Sequence, residues 1–454
     1  MTPSFSFAEP GTPEYAAATA TYNLDVHLQP PVAATVRDAE EARLAVAEAR
    51  SRNLGVRVLA TGHLSDACAP LGDEAVVKVA FDAPVRVDAE RREVTAYAGT
   101  RWGEVAQATT PHGLVAPHGT SPTVGVIGYL LGGGISYYGR QFGVAANSIR
   151  SMTLLTADGA VREVDADHDP DLFDALRGGG GGFGLVLSAT VALHPVSQVM
   201  TGAIFWPIAA AQPLLEQWCR WSQDAPRTAS TSFRTLHLPP DPALPPELTA
   251  GPVVCVDGAI IDEPPGLPAA AVAGDLLDPM RRIAEPLVDS WHAGGPLDVT
   301  TSHMDPLDPL PYEADHYLLD DLPREGQDAW LSVAAAEAGD ALAFVELRQI
   351  GGAIADADPR GGVLPRLGGA YALYALGVLM GEASDRRITE QLASLREAMA
   401  PWDTGFTAPT FAAGWDPRQR SFDRATAERM QAIRDRVDPD GVFAGNVVRG
   451  ARLG

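Results

Sequence analysis

Two segments of this chain combine residue types that can do chemistry at spacings that ordinary helices and strands do not use. Ala60-Thr61-Gly62-His63 puts one imidazole at the end of a small-residue turn. Gly119-Thr120-Ser121-Pro122-Thr123-Val124-Gly125-Val126-Ile127-Gly128-Tyr129-Leu130-Leu131-Gly132-Gly133-Gly134 is a ladder of glycines. Glycine admits positive φ and leaves the backbone bare enough for a ligand to approach. Gly125, Gly128, Gly132, Gly133 and Gly134 can therefore aim successive N–H groups at a diphosphate, forming a nest that binds an anion without a cation. Two commoner phosphate sites are disfavoured. The ladder does not follow G-x-x-x-x-G-K-[ST], and Lys78 is the only lysine of the chain, so a P-loop lysine is lacking. No G-x-G-x-x-G stands between a strand and a helix with an acidic residue about 20 positions later, which argues against a diffusing nicotinamide cofactor.

Further segments join these two: Val58-Leu59 ahead of the turn, Asp171-Leu172-Phe173-Asp174-Ala175-Leu176-Arg177-Gly178-Gly179-Gly180, Phe183-Gly184-Leu185-Val186, Val437-Asp438-Pro439-Asp440-Gly441-Val442-Phe443, and Asn446. In this order the motifs resemble FAD-linked oxidases of the berberine bridge enzyme type, within the vanillyl alcohol oxidase / p-cresol methylhydroxylase superfamily, over nearly the whole chain. The resemblance implies FAD bonded covalently to His63 through the flavin's methyl carbon, as in the monocovalent histidyl-FAD branch of bacterial tailoring oxidases. Many relatives add a second link through a cysteine just before P-T-V-G. Ser121 stands there, and Cys68, Cys219 and Cys255 lie elsewhere, so one link is expected. The remaining implied cofactor contacts are Ala60, Thr61, Gly62, Leu64, Ser65, His118, Gly119, Ser121, Val124, Gly125, Gly128, Tyr129, Gly132, Gly133, Gly134, Val186 and Asn446. Gly178–Gly182 reads instead as a packing element. Where many relatives carry Tyr-x-Asn, this chain has Thr410-Phe411-Ala412-Ala413-Gly414-Trp415, so the tyrosine base of sugar and alcohol oxidases is absent.

On the substrate side, Glu346-Leu347-Arg348-Gln349-Ile350-Gly351-Gly352-Ala353 matches a family strand that faces the flavin, and strand alternation puts Glu346 and Arg348 on one side. Glu346 is the expected proton acceptor and Tyr374, on the next strand, an expected substrate contact; a buried Glu–Arg pair and plain packing are the structural alternatives. The expected reaction is a two-electron oxidation of a small secondary metabolite, such as a polyketide or alkaloid intermediate, with hydride transfer to the flavin and reoxidation by O2. The alternatives are sugar or alcohol oxidation and a flavin-holding scaffold that directs a non-redox cyclisation. No metal is expected.

Lys and Arg total 34 against 58 Asp and Glu, a formal charge of −24 over 454 residues, with no basic block. Nucleic acid and anionic membrane are disfavoured as partners, leaving a small molecule and O2. The opening MTPSFSFAEPGTPEY has neither a basic nor an apolar leader region, so a cytoplasmic protein is expected. Three cysteines without metal-like spacing read as thiols rather than a disulfide framework.

The elements that must position these groups form an α+β, two-lobed vanillyl alcohol oxidase-like FAD-binding fold with an inserted substrate lobe of antiparallel sheet plus helices. The expected division is 1–200 for the cofactor lobe, 201–401 for the substrate lobe and 402–454 for the return to the cofactor lobe. Asp38 to Asn53 predicts a helix with Asp38 as N-cap and Gly55 as stop, and Val56–Ala60 a strand that delivers His63. Strands follow at Ala75–Val79 and Glu93–Ala98, and a helix begins near Trp102. A hairpin forms around Ala157-Asp158-Gly159, with a helix at Pro170–Arg177 and a strand at Leu185–Leu193. Beyond Pro207 the proline-rich stretches Pro239–Pro246, Glu263–Pro268 and Asp305–Tyr312 mark long loops. Phe344–Gln349 and Ala370–Leu379 are strands, and Ser421–Val437 is an amphipathic helix with Met430, Ile433 and Val437 on one stripe.

Overall fold

The computed structural model describes residues 5–68, 70–240, 242, 244–262, 266–335, 341–412 and 421–445. Three sheets position the site. The first is parallel, in the order Ala33–Val36, Glu74–Val79, Gly55–Leu59. Helix Ala39–Ser51 is the crossover that carries the chain between the two outer parallel strands, past the central Glu74–Val79, its first turn capped by the Asp38 carboxylate, which accepts from the Glu41 N–H at 2.8 Å. The left-handed residue after this helix is Asn53, at φ 57°, while Gly55 opens the next strand. A short amide side chain tolerates that conformation, so glycine is not needed there.

The second sheet is antiparallel, in the order Arg86–Asp88, Glu93–Tyr97, Leu185–Ala192, Ile149–Leu155, Val161–Asp165. Its hairpin closes with Leu155 opposite Val161.

The third sheet is antiparallel and larger. Its main path runs Val199–Pro207, Val253–Ile261, Ala229–Leu236, Phe344–Gln349, Tyr371–Val378, Tyr312–Leu319, and the short strands Val288–Asp289 and His292–Gly294 pair with Val199–Pro207. Helices Ala211–Asp224, Ala269–Ile283, Arg324–Ala334 and Glu382–Met399 contribute to one buried core, in which Leu214, Trp218 and Trp330 join Phe233, Val345, Leu347 and Leu373. Because side chains alternate along a strand, Glu346 and Arg348 point to the opposite face. Register there sets out two polar rows across the strands, one of Asp257, Ser232 and Arg348, the other of Cys255, Arg234, Glu346, Tyr374 and His316.

Helix Arg424–Val437, capped by Asp423, buries Met430 and Ile433. Beyond it the chain returns to the first sheet: the Val56 N–H donates to the Val442 carbonyl at 2.7 Å and the Ala444 N–H to the Val56 carbonyl at 2.9 Å. Among the described residues no helix is long and apolar enough to cross a membrane.

Gly134 has φ +81°, and a Cβ there would collide with the Tyr129 ring and stand 2.9 Å from the Ala145 Cβ. Gly134→Ala is expected to lower unfolding free energy by about 3 kcal/mol. Gly128→Ala, whose Cβ would meet nothing within 4 Å, is expected to be neutral. Urea denaturation of both variants checks this.

Candidate functional site

A cavity of about 580 Å³ is lined by residues of all three sheets and the loops between them, a volume ordinary for a small-molecule or cofactor site. Its first wall is the turn that follows Gly55–Leu59. Gly62 has φ +78°, and a Cβ would come within 2.8 Å of the Thr21 Cα. The Tyr22 N–H donates to the Gly62 carbonyl at 3.2 Å, and the Tyr22 ring stacks on His63 with centroids 3.9 Å apart. His63 Nδ1 lies 2.9 Å from Thr61 Oγ1 and Nε2 lies 3.1 Å from Thr123 Oγ1. The Gly125 N–H donates to Thr61 Oγ1 at 3.2 Å, which leaves the Thr61 proton for Nδ1. These bonds are satisfied by an imidazole protonated on Nε2, with its lone pair on Nδ1. Burial pushes His63 down to about 4 against the pull of Asp305, so the ring is neutral at pH 7.

Among the described residues, the backbone N–H groups of Thr61, Gly62, His63 and Leu64 donate to no backbone carbonyl, nor do those of Thr120 and Ser121. Gly125 and Gly128 continue the second wall without side chains. Two of the basic groups nearby are otherwise engaged: Arg57 donates to Glu74 at 2.9 and 3.0 Å and to the Gly445 carbonyl at 2.6 Å, and Lys78 donates to the Ala17 and Ala20 carbonyls. A diphosphate on these walls would be met by amides. The Tyr129 hydroxyl, on the wall and 8% exposed, has no hydrogen-bond partner. A bare-backbone wall, unsatisfied amides and a neutral imidazole fit FAD.

Ala60, Thr61, Gly62, His63, Leu64, Gly119, Ser121, Val124, Gly125, Gly128, Tyr129, Val186 and Tyr374 all line this cavity. Ser65 is buried beside it with an unpartnered hydroxyl, and His118 lies behind the wall, its Nδ1 2.6 Å from the Gly119 carbonyl. Gly132, Gly133 and Gly134 do not reach it: their missing side chains make room for Thr410, Leu364 and Tyr129. At these three positions the structure shows close packing and not cavity lining. In the second glycine run, Gly178, Gly179 and Gly182 are packed closely against Leu364, Met430 and Arg434, as a packing element is, and Gly180, Gly181 and Gly182 also border the cavity. Asn446, together with Ala413, Gly414 and Trp415, lies outside the described residues.

Glu346 also departs from its expected place. Arg348 donates to both its oxygens, at 2.7 and 3.2 Å, and Arg348 rather than Glu346 faces the cavity. A carboxylate held this way in a site 1% exposed is a counter-ion, because an unpaired buried arginine would be costly. Behind the wall the pair continues into a buried network. Arg234 pairs with Asp257, which also accepts from Ser232 and Tyr137 and lies 3.1 Å from His303 Nδ1. His303 Nε2 lies 3.7 Å from Asp305, which the Thr120 hydroxyl reaches at 2.8 Å. Sequence reasoning missed Tyr22, Tyr137, Arg234, Asp257, His303, Asp305 and Tyr312. One signal was present: Asp257 is the only charge in the apolar run Val253–Ile261 and had to find a partner.

Tyr374, Phe344 and Phe411 form an aromatic wall, with Tyr374 centroid distances of 5.7 Å to Phe344 and 5.3 Å to Phe411. Burial, reinforced by the surrounding acidic groups, holds the Tyr374 phenol well above its usual range, so it stays protonated. Asp66, three residues after His63, also lines the cavity; burial lifts its carboxyl to about 6 although Asn23 donates to it at 3.0 Å.

Residues 30–165 match the FAD binding domain family. The uncharacterized FAD-linked oxidoreductase YgaK of Bacillus subtilis is 30% identical over 228 residues, 49% of this chain and 51% of that protein. The chain thus spans about half the length of this curated relative. Across the whole fold, 6-hydroxy-D-nicotine oxidase from Arthrobacter nicotinovorans superposes with a TM-score of 0.82 at 19% identity, covering 97% of both chains. Berberine bridge enzyme-like 1 of Physcomitrella patens superposes with a TM-score of 0.81 at 19% identity, covering 98% of this chain and 97% of that one.

An unfolded histidine titrates near 6.5 and folded His63 near 4. The unfolded chain therefore binds the extra proton between these values, and the stability His63 contributes is intact above pH 6.5 and lost as pH falls through 4. Between neutral pH and the bottom of this window, the apoprotein is expected to lose about 2 kcal/mol more than His63→Gln. Paired urea titrations of the two proteins measure the difference.

Proposed function

We propose that this chain, an FAD-binding segment set in the fold of berberine bridge enzyme-like oxidases, is an FAD-dependent oxidoreductase that oxidises a small secondary metabolite by two electrons. The observation that carries the reading is the single cavity in which a neutral, clamped imidazole and two runs of unsatisfied amides share walls with an aromatic, charged sheet face. FAD, when bound, supplies the hydride acceptor and hands the electrons on to O2.

The chain's own residues do the rest. His63 tethers the cofactor, Thr61 and Thr123 having already fixed its ring orientation. The amides of Thr61–Leu64 and Thr120–Ser121 hold the diphosphate, and the bare backbone of Gly125 and Gly128 lets it approach. Ser121, at the place where relatives carry a linking cysteine, supports a single link. Tyr374, kept protonated, donates a hydrogen bond to a substrate heteroatom rather than removing a proton. Phe344 and Phe411 exclude water from that end, which strengthens the electrostatic contacts made there.

Protein precipitated in acid is expected to stay yellow, and His63→Ala to release its colour to the supernatant. A colourless pellet from the unsubstituted protein, even after reconstitution with FAD, would contradict the tether. Anaerobic bleaching of the flavin by the true substrate separates an oxidoreductase from a scaffold for non-redox cyclisation, which would leave the colour unchanged.

A further inference from the structure

The arginines on the cavity wall are neutralised from behind: Arg57 by Glu74, Arg234 by Asp257 and Arg348 by Glu346. The wall carboxylates are not. Among the described residues, Asp66 meets the Asn23 amide and Asp305 meets the Thr120 hydroxyl at 2.8 Å and the His303 imidazole at 3.7 Å, with no arginine or lysine within 4 Å of either. Two negative charges therefore remain at this end of the cavity.

The backbone that presents Asp305 is unusual. Met304 has φ +56°, a left-handed conformation that a long side chain rarely adopts. The turn is held from both sides, by His303 on Asp257 Oδ2 at 3.1 Å and by Asp305 on Thr120. Strained non-glycine residues of this kind cluster where a site needs a group aimed in a particular direction. The Tyr374 and Phe411 rings share the cavity wall with these carboxylates, and their π faces attract cations.

We infer that Asp305 anchors a basic amine on a flat, apolar substrate, so that the site selects amines over neutral alcohols and sugars. A polyol could hydrogen-bond to Asp305 and Asp66 but would leave both charges uncompensated; a carboxylate or phosphate would be repelled. The inference rests on the FAD-oxidoreductase reading above and narrows it to one substrate class.

The test uses the FAD-loaded full chain and two probes of one size, benzylamine and benzyl alcohol, titrated calorimetrically at about pH 8, where the amine is still largely protonated and Asp66 is ionised. Benzylamine is expected to bind at least about tenfold more tightly, and Asp305→Asn to abolish that preference without changing FAD content. Thr120→Val, which removes the hydroxyl bond and keeps the charge, is expected to weaken the preference only in part, and serves if Asp305→Asn does not fold. Equal binding of the probes, no binding of benzylamine, or a preference that survives Asp305→Asn would overturn the inference. Each of those results with FAD in place leaves the cofactor reading standing, whereas a protein that takes up no FAD at all removes the reading beneath it.

Discussion

Everything in the cavity depends on a close backbone contact between the turn at Gly62 and the segment at Thr21–Tyr22. Only a residue without a Cβ can sit there, since a side chain would enter the Thr21 backbone. The contact stacks His63 on Tyr22, and the neighbouring amides donate to no backbone carbonyl. The imidazole's orientation is thus set by the protein's own groups, the Tyr22 ring and the Thr61 and Thr123 hydroxyls. A side chain held in this way loses little conformational freedom on meeting a ligand, which is the physical meaning of preorganisation.

The larger sheet solves a different problem, that of carrying charges through a protein interior. A buried ion pair is stabilising only when geometry and further hydrogen bonds offset desolvation. Cross-strand register does this here by setting Arg234 opposite Glu346 and Ser232 opposite both Asp257 and Arg348. Each arginine can then be exposed to the cavity without presenting a net positive charge. The sheet shows the ligand a polar but electrically balanced floor, and the loop at Met304–Asp305 supplies the imbalance.

Much of the cofactor half was legible in the chain. Helix Ala39–Ser51, strand Gly55–Leu59, the hairpin at Asp158-Gly159 and the His63 turn carry caps, alternation and turn chemistry that local physics can read. The larger sheet was less so. Only Phe344–Gln349 and Tyr371–Val378 were recognised, because Ala229–Leu236 and Val253–Ile261 are buried at every position and lack the alternation that marks a half-exposed strand. The glycine runs are only partly legible for a related reason. Glycine reports that a backbone is approached closely, and sequence does not say by what: Gly134 lies against the Tyr129 ring and Gly182 against Arg434 and Gly445, while Gly125 and Gly128 border the cavity. Glu346 was singled out through its strand and its neighbour Arg348, yet alternation cannot tell which of two charges on one face ends up in front.

The pairing of Val56 with Val442 and Ala444 joins segments nearly four hundred positions apart, and Phe443 and Ala444 belong to the cavity wall. Contacts of such sequence separation bear on folding rate more than on stability. The wall they share is therefore complete only when both segments have folded together, and neither builds it alone.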